Sequence, residues 1–111
     1  MLPKPRRLNL KTDFKWVVSG RKLETKFLKL FLKQGENKIA RAGIAVSSKV
    51  FRKATERNRA RRLTSSAIES IYNRLPKDIN IVALPKQGVI NVKSGDLSLD
   101  LEERLKKEKL I

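Results

Sequence analysis

The sequence predicts an α+β fold, a single-domain two-layer sandwich with one sheet. Three observations predict it. Residues 25–33 alternate with the period of a strand, and residues 60–75 repeat with the period of a helix. A further apolar strand and a closing helix then follow that helix. The predicted order is α-β-β-α-β-α, with a basic arm over 1–9 and a single α/β sandwich domain over 10–111. The length of 111 residues suits one domain with a small core.

Residues 1–9 are basic and carry Pro3 and Pro5, which predicts an extended arm with little tendency to fold. Leu10, Phe14, Val17 and Val18 fall at i, i+4, i+7 and i+8, the stripe of a short amphipathic helix that Gly20 would stop. In 25–33, Leu28, Leu30 and Leu32 share one strand face; Phe27, Lys29, Phe31 and Lys33 share the other. Gly35-Glu36-Asn37-Lys38 reads as a hairpin turn into a second strand over 39–47. There Ile44 and Val46 take one face, and Arg41, Gly43, Ala45 and Ser47 the other. Pairing the two strands would join the leucines to Ile44 and Val46 in the core.

A helix is predicted over about 55–74, with Thr55 as N-cap and Pro76 as terminator. Ala60, Leu63, Ala67, Ile68, Ile71 and Leu75 form its apolar stripe, opposite Asn58, Arg61, Arg62, Ser65 and Glu69. Residues 79–84 form a buried strand. The last helix, 96–109, buries Leu97, Leu101 and Leu105. Its early acids Asp96, Asp100, Glu102 and Glu103 and its late lysines suit the helix dipole better than a catalytic or metal-binding role.

Charge says most about partners. The chain has 27 basic and 11 acidic residues, a net charge of +16. Its isoelectric point near 10.7 points to a polyanion. It has no Cys and no His, so no thiolate site, no disulfide and no usual general base near neutral pH. No apolar run approaches the roughly 18 residues of a membrane span, and the N-terminus has no apolar core of a signal peptide. The chain reads as cytoplasmic and reduced, with no membrane and no small-molecule substrate expected.

The densest signal is Lys49–Arg62, KVFRKATERNRARR, with seven Lys or Arg and one acid, Glu56, in fourteen residues. Almost no acid stands at i+4 to relieve the repulsion, and Arg outnumbers Lys in its core. Arg binds phosphate through two parallel bonds, so polyanion binding outweighs a merely solvated face. A second set, Phe27, Lys29, Phe31 and Lys33 with Arg41, Gly43 and Ala45, fits a stacking platform with basic rails and room for a strand. Phe14 and Val18 could wall the same groove. The same pattern fits phenylalanines in the core and snorkelling lysines; for Phe27, Phe14 and Trp16 both readings stand. No Ser-His pair, metal cluster or Gly-rich phosphate loop is present.

KVFRKATERNRARRL resembles the signature of the bacterial ribonuclease P protein component, an Arg-Asn-Arg element opening a helix after a basic connection. RRLNLKTDFKWVVSGRK, ARAGIAVSSKV and INIVALPK resemble that family's opening and strands, in the same order, over residues 6 to about 90. The resemblance implies a left-handed βαβ crossover, against the general rule. It implies binding of the catalytic RNA of ribonuclease P and of precursor tRNA, and removal of the 5′ leader with Mg²⁺ held mainly by the RNA. The catalytic RNA would meet Lys49, Arg52, Lys53, Arg57, Asn58, Arg59, Arg61 and Arg62. The leader cleft would use Phe14, Val18, Phe27, Lys29, Phe31, Arg41 and Lys86. No protein residue would be catalytic and none would bind metal. The chain departs from the family at Ser65 and Ser48, where Arg and Lys are usual, and at Val18, often aromatic. The alternatives are a ribosomal or other structural RNA-binding protein, and a basic amphipathic helix for membrane surfaces or calmodulin-like partners. The paucity of large apolar residues beside 57–62 argues against the latter. A protein-only nuclease fits least.

Overall fold

The computed structural model describes residues 2–111. Helix α1 spans Leu10–Val18, and strands β1, β2 and β3 span Arg21–Glu24, Leu28–Gln34 and Arg41–Ile44. Helix α2 follows at Ala54–Ile71, then β4 at Ile79–Pro85 and α3 at Ser94–Lys107. The sheet runs β1-β2-β4-β3. β1, β2 and β4 are antiparallel neighbours, and β3 lies parallel to β4. The α+β class with one sheet holds, with one strand more than the sequence predicts.

That added strand is β1, RKLE. Only Leu23 of its four residues is buried, so it carries too little apolar pattern to read as a strand. It forms because it pairs with β2, Lys22 opposite Phe31 and Leu23 opposite Leu30. Gly20 permits the approach: a Cβ there would run into the carbonyl oxygen of Leu32.

The predicted hairpin between β2 and β3 is corrected. β4 lies between them, and the 35–40 connection crosses its start. The Gly35 N–H donates to the Asp78 carbonyl at 2.9 Å, and the Asn80 amide donates to Asn37 Oδ1 at 2.9 Å. These bonds satisfy polar groups that a hairpin would have paired within itself. The face assignments survive except at Phe27. Leu28, Leu30, Leu32, Ala42, Ile81 and Ala83 share the main core under α2 and α3, with Ile44 and Val46 against it. On the other face Val17 of α1 is buried with Leu8 and Val82, and Phe14, Val18, Phe31, Ala45 and Leu84 pack beside them. The main sandwich is therefore sheet on α2 and α3, with α1 laid across the outer face.

The basic segment before α1 is not a loose extension. Lys4–Arg6 form a 3-10 turn, Leu2 and Leu8 are buried, and Arg7 bridges to Ala42 beside β3. Arg6 lies 4.3 Å from the centre of the Tyr72 ring. Two apolar anchors and a cation–π contact outweigh the charge that suggested a free arm. One further expectation changes. The N-cap of α2 is Lys53, without a side-chain cap bond, and Thr55 sits inside the first turn. Asp100 accepts the N–H groups of Lys26 and Phe27, at 3.3 and 3.2 Å, and ties α3 to the β1–β2 turn. Glu102 is held below the usual carboxylate range by its bonds to Lys106 and Arg74. No helix among the described residues is long and apolar enough to cross a membrane.

Candidate nucleic-acid interface

The first surface is built by the segment entering α2. Phe51 is 1% exposed and anchors it, its N–H donating to the Ser47 carbonyl at 2.9 Å. Sequence reasoning missed Phe51, a lone aromatic among basic residues; only its burial shows that it aims Lys49, Arg52 and Lys53 outward. The side chains of Lys49, Arg52, Lys53 and Arg62 are exposed and have no hydrogen-bond or ion-pair partner among the described residues.

The remaining members differ in what holds them. Arg57 Nη1 donates to the carbonyls of Phe51 and Arg52, at 2.9 and 3.0 Å. Arg59 Nε donates to the Ile90 carbonyl at 2.8 Å, bracing the connection between β4 and α3. Arg61 Nη1 donates to Asn58 Oδ1 at 3.2 Å, so this pair is oriented jointly. Cations crowded at a helix start oppose the dipole preference. With the first-turn N–H groups lacking a side-chain cap, they make a ready anion site. The arrangement lowers local stability at this helix start.

Ser65 does not share that surface. It is 2% exposed and its Oγ bonds Glu69 Oε1 at 3.5 Å. The predicted polar face is therefore narrower than the sequence suggests, because the segment around Leu2 covers α2 at that turn. Ser48 is exposed.

The second surface lies on the outer face of the sheet. The register sets Lys22, Phe31, Val82 and Gly43 in one row across the sheet, and Glu24, Lys29 and Leu84 in the next. Phe14 and Val18 of α1 wall this area, and Phe31 and Leu84 floor it. Gly43 lets α1 settle, since a Cβ there would come 2.7 Å from Leu10 Cδ2. An open groove of about 330 Å³ continues past the row, lined by Lys29, Ala45, Ser47, Leu84, Lys86 and neighbours. Lys86 Nζ donates to the Thr25 carbonyl at 2.9 Å and pairs with Glu24 at 3.6 Å. Ala45, which the sequence placed on this face, and Leu84, which it did not single out, supply its apolar floor.

Two of the predicted cleft residues lie elsewhere. Phe27 packs against the main core and beside α3 rather than with Phe31. The reason is the Thr25–Leu28 turn, in which Thr25 Oγ accepts the N–H groups of Phe27 and Leu28. The turn interrupts the alternation that placed Phe27 with Lys29. Arg41 is on the correct face but opposite Asn80, four residues along β4 from Leu84. At about 3.3 Å per residue that puts it roughly 13 Å from the groove. Trp16 is 41% exposed, outside the core, with Lys33 over its ring at 5.1 Å.

Residues 2–109 match the family model for ribonuclease P. The chain belongs to the ribonuclease P protein family. The ribonuclease P protein component of Acinetobacter baylyi is 32% identical over 98 residues, covering 86% of this chain and 74% of that protein. The ribonuclease P protein of Thermotoga maritima, solved with 1-(4-fluorophenyl)-2-thiourea, superimposes with a TM-score of 0.79 at 25% identity. That match covers 91% of this chain and 98% of the Thermotoga chain. A Staphylococcus aureus ribonuclease P protein, a mutant with defective mRNA degradation activity, gives a TM-score of 0.83 at 20% identity. It covers 97% of this chain and 92% of its own, and supports the fold. As a ribonuclease P protein the chain is the protein subunit of a ribonucleoprotein endoribonuclease that acts in tRNA processing, with the activity in the RNA. Ribonuclease P proteins partner with ribonuclease P RNA, which is a polyanion of the kind the net charge of +16 calls for.

Proposed function

We propose that the two surfaces divide the work of this subunit. The α2 surface, from Lys49 to Arg62, grips the catalytic RNA. The outer sheet face, with Phe14, Val18 and Phe31 next to Lys29 and with Lys86 beyond it, takes the unpaired 5′ leader of precursor tRNA. The observation that carries this reading is their difference in build: a carbonyl-braced cluster of arginines on α2, and an apolar groove with lysines at its edge on the sheet, the two adjoining at Val50. Fixed cations suit a folded phosphate backbone, whereas an aromatic floor suits bases free to stack.

The protein's share of catalysis is then positioning. No three His, Cys, Asp or Glu side chains come together among the described residues. Such a donor set does not fit a protein-borne Mg²⁺ site, so Mg²⁺ belongs with the RNA in this reading. The cations lower the repulsion between two RNA molecules and hold the leader, which reduces the Mg²⁺ needed for assembly. The chain works in the cytoplasm, where its RNA partners are made.

The test is reconstitution with a bacterial ribonuclease P RNA, assayed for leader cleavage at low Mg²⁺. Stimulated cleavage of precursor tRNA is the expected result. RNA binding with no gain in cleavage would contradict the division of work.

A further inference from the structure

Arg7 reaches the α2 surface from outside the helix. It bridges in parallel to Ala42, and bridged partners point to the same side of a sheet. Ala42 belongs to the core under α2, so Arg7 points that way too, while Leu8 turns under α1. Arg7 Nε donates to the Leu2 carbonyl at 3.0 Å, and Leu2 is 4% exposed. The Leu8 N–H donates to the Ala42 carbonyl at 3.0 Å. The backbone is thus pinned on both sides of Arg7. Its Nη groups have no further partner among the described residues.

Arg7 and Arg61 line one cavity of about 140 Å³, together with Leu2, Ile44 and Ser65 among others. The lining residues include two arginines and no acid, and Glu69 bonds the lining Ser65 at 3.5 Å. Like charges facing one space repel, and an anion between them relieves this. Arg61 also bonds Asn58, so the cavity and the α2 surface share this arginine. We infer that Arg7 makes a further phosphate contact to ribonuclease P RNA, in a site shared with Arg61. This rests on the proposed role of α2.

The experiment measures affinity of the full chain for a bacterial ribonuclease P RNA across salt, with Arg7→Ala, Arg7→Lys and Arg61→Ala. Free-protein melting is measured in parallel. Arg7→Ala is expected to weaken assembly about tenfold. It should also lower the salt slope by about 0.7–0.9, one phosphate contact, with Arg7→Lys retaining the slope. If Arg7→Ala lowers only the melting temperature and keeps the wild-type slope, Arg7 merely pins Leu2 and the inference fails. A lowered slope for Arg61→Ala beside an unchanged one for Arg7→Ala would overturn this inference alone. Unchanged slopes for both would overturn the role of α2 as well.

Discussion

The guanidinium of Arg57 sits 2.9 Å from the carbonyl oxygen of Phe51 and donates to it. A cation that would otherwise be free is thereby built into the turn that presents Arg52 and Lys53. Arg57 and Arg61 are not equivalent members of one basic cluster. The first holds the shape of the surface; the second, bonded only to Asn58, is open to a ligand.

Their substitutions should therefore differ. Arg57→Ala is expected to cost the free protein about 1–2 kcal/mol and also to weaken assembly, since charge-assisted bonds to carbonyls are lost. Arg61→Ala should leave stability within about 0.5 kcal/mol while weakening assembly. Thermal unfolding beside RNA titration separates the two. Equal stability losses would show that Arg61 is structural as well.

Assembly should weaken steeply with salt. Each released phosphate contact contributes about 0.7–0.9 to the slope of log affinity against log salt. Four cations on the α2 side have no internal partner, Lys49, Arg52, Lys53 and Arg62, and so are free to bind phosphate. Titrations from low to physiological salt check this, and a flat response would refute polyanion binding by this surface.

Phe31→Ala should weaken precursor tRNA binding to the holoenzyme by roughly 1–3 kcal/mol, the scale of one stacked base. Mature tRNA should be nearly unaffected. Phe27→Ala should leave leader preference intact and lower stability instead, because Phe27 packs against the main core. Comparing affinities for the two tRNA forms decides; equal losses at Phe31 would place it in packing alone.

Gly20→Ala should destabilise the chain by about 1–3 kcal/mol, because the new methyl group meets a backbone oxygen of β2 rather than a yielding side chain. Gly43→Ala should cost less, since the tip of Leu10 can move. Denaturant midpoints of the two variants test the ranking.

The helices, the leucine face of β2 and the Arg-Asn-Arg surface were legible in the sequence because they rest on local properties. A stripe at 3.6 residues, an alternation of two and a charge without acidic partners are read from neighbours along the chain. The family resemblance was legible for the same reason, in short ordered motifs.

What lay beyond the sequence depends on contacts between distant segments. β1 exists only because β2 offers it a partner, and β4 enters between β2 and β3 from forty residues or so away. Phe27 leaves the groove because of a turn set by Thr25 and Asp100. Leu2 and Leu8 hold down a segment whose charge alone reads as disorder. By itself the sequence determined which faces are apolar and which are cationic. Only the tertiary structure decided which of those faces meet, because burial and pairing act between groups that the chain order keeps apart.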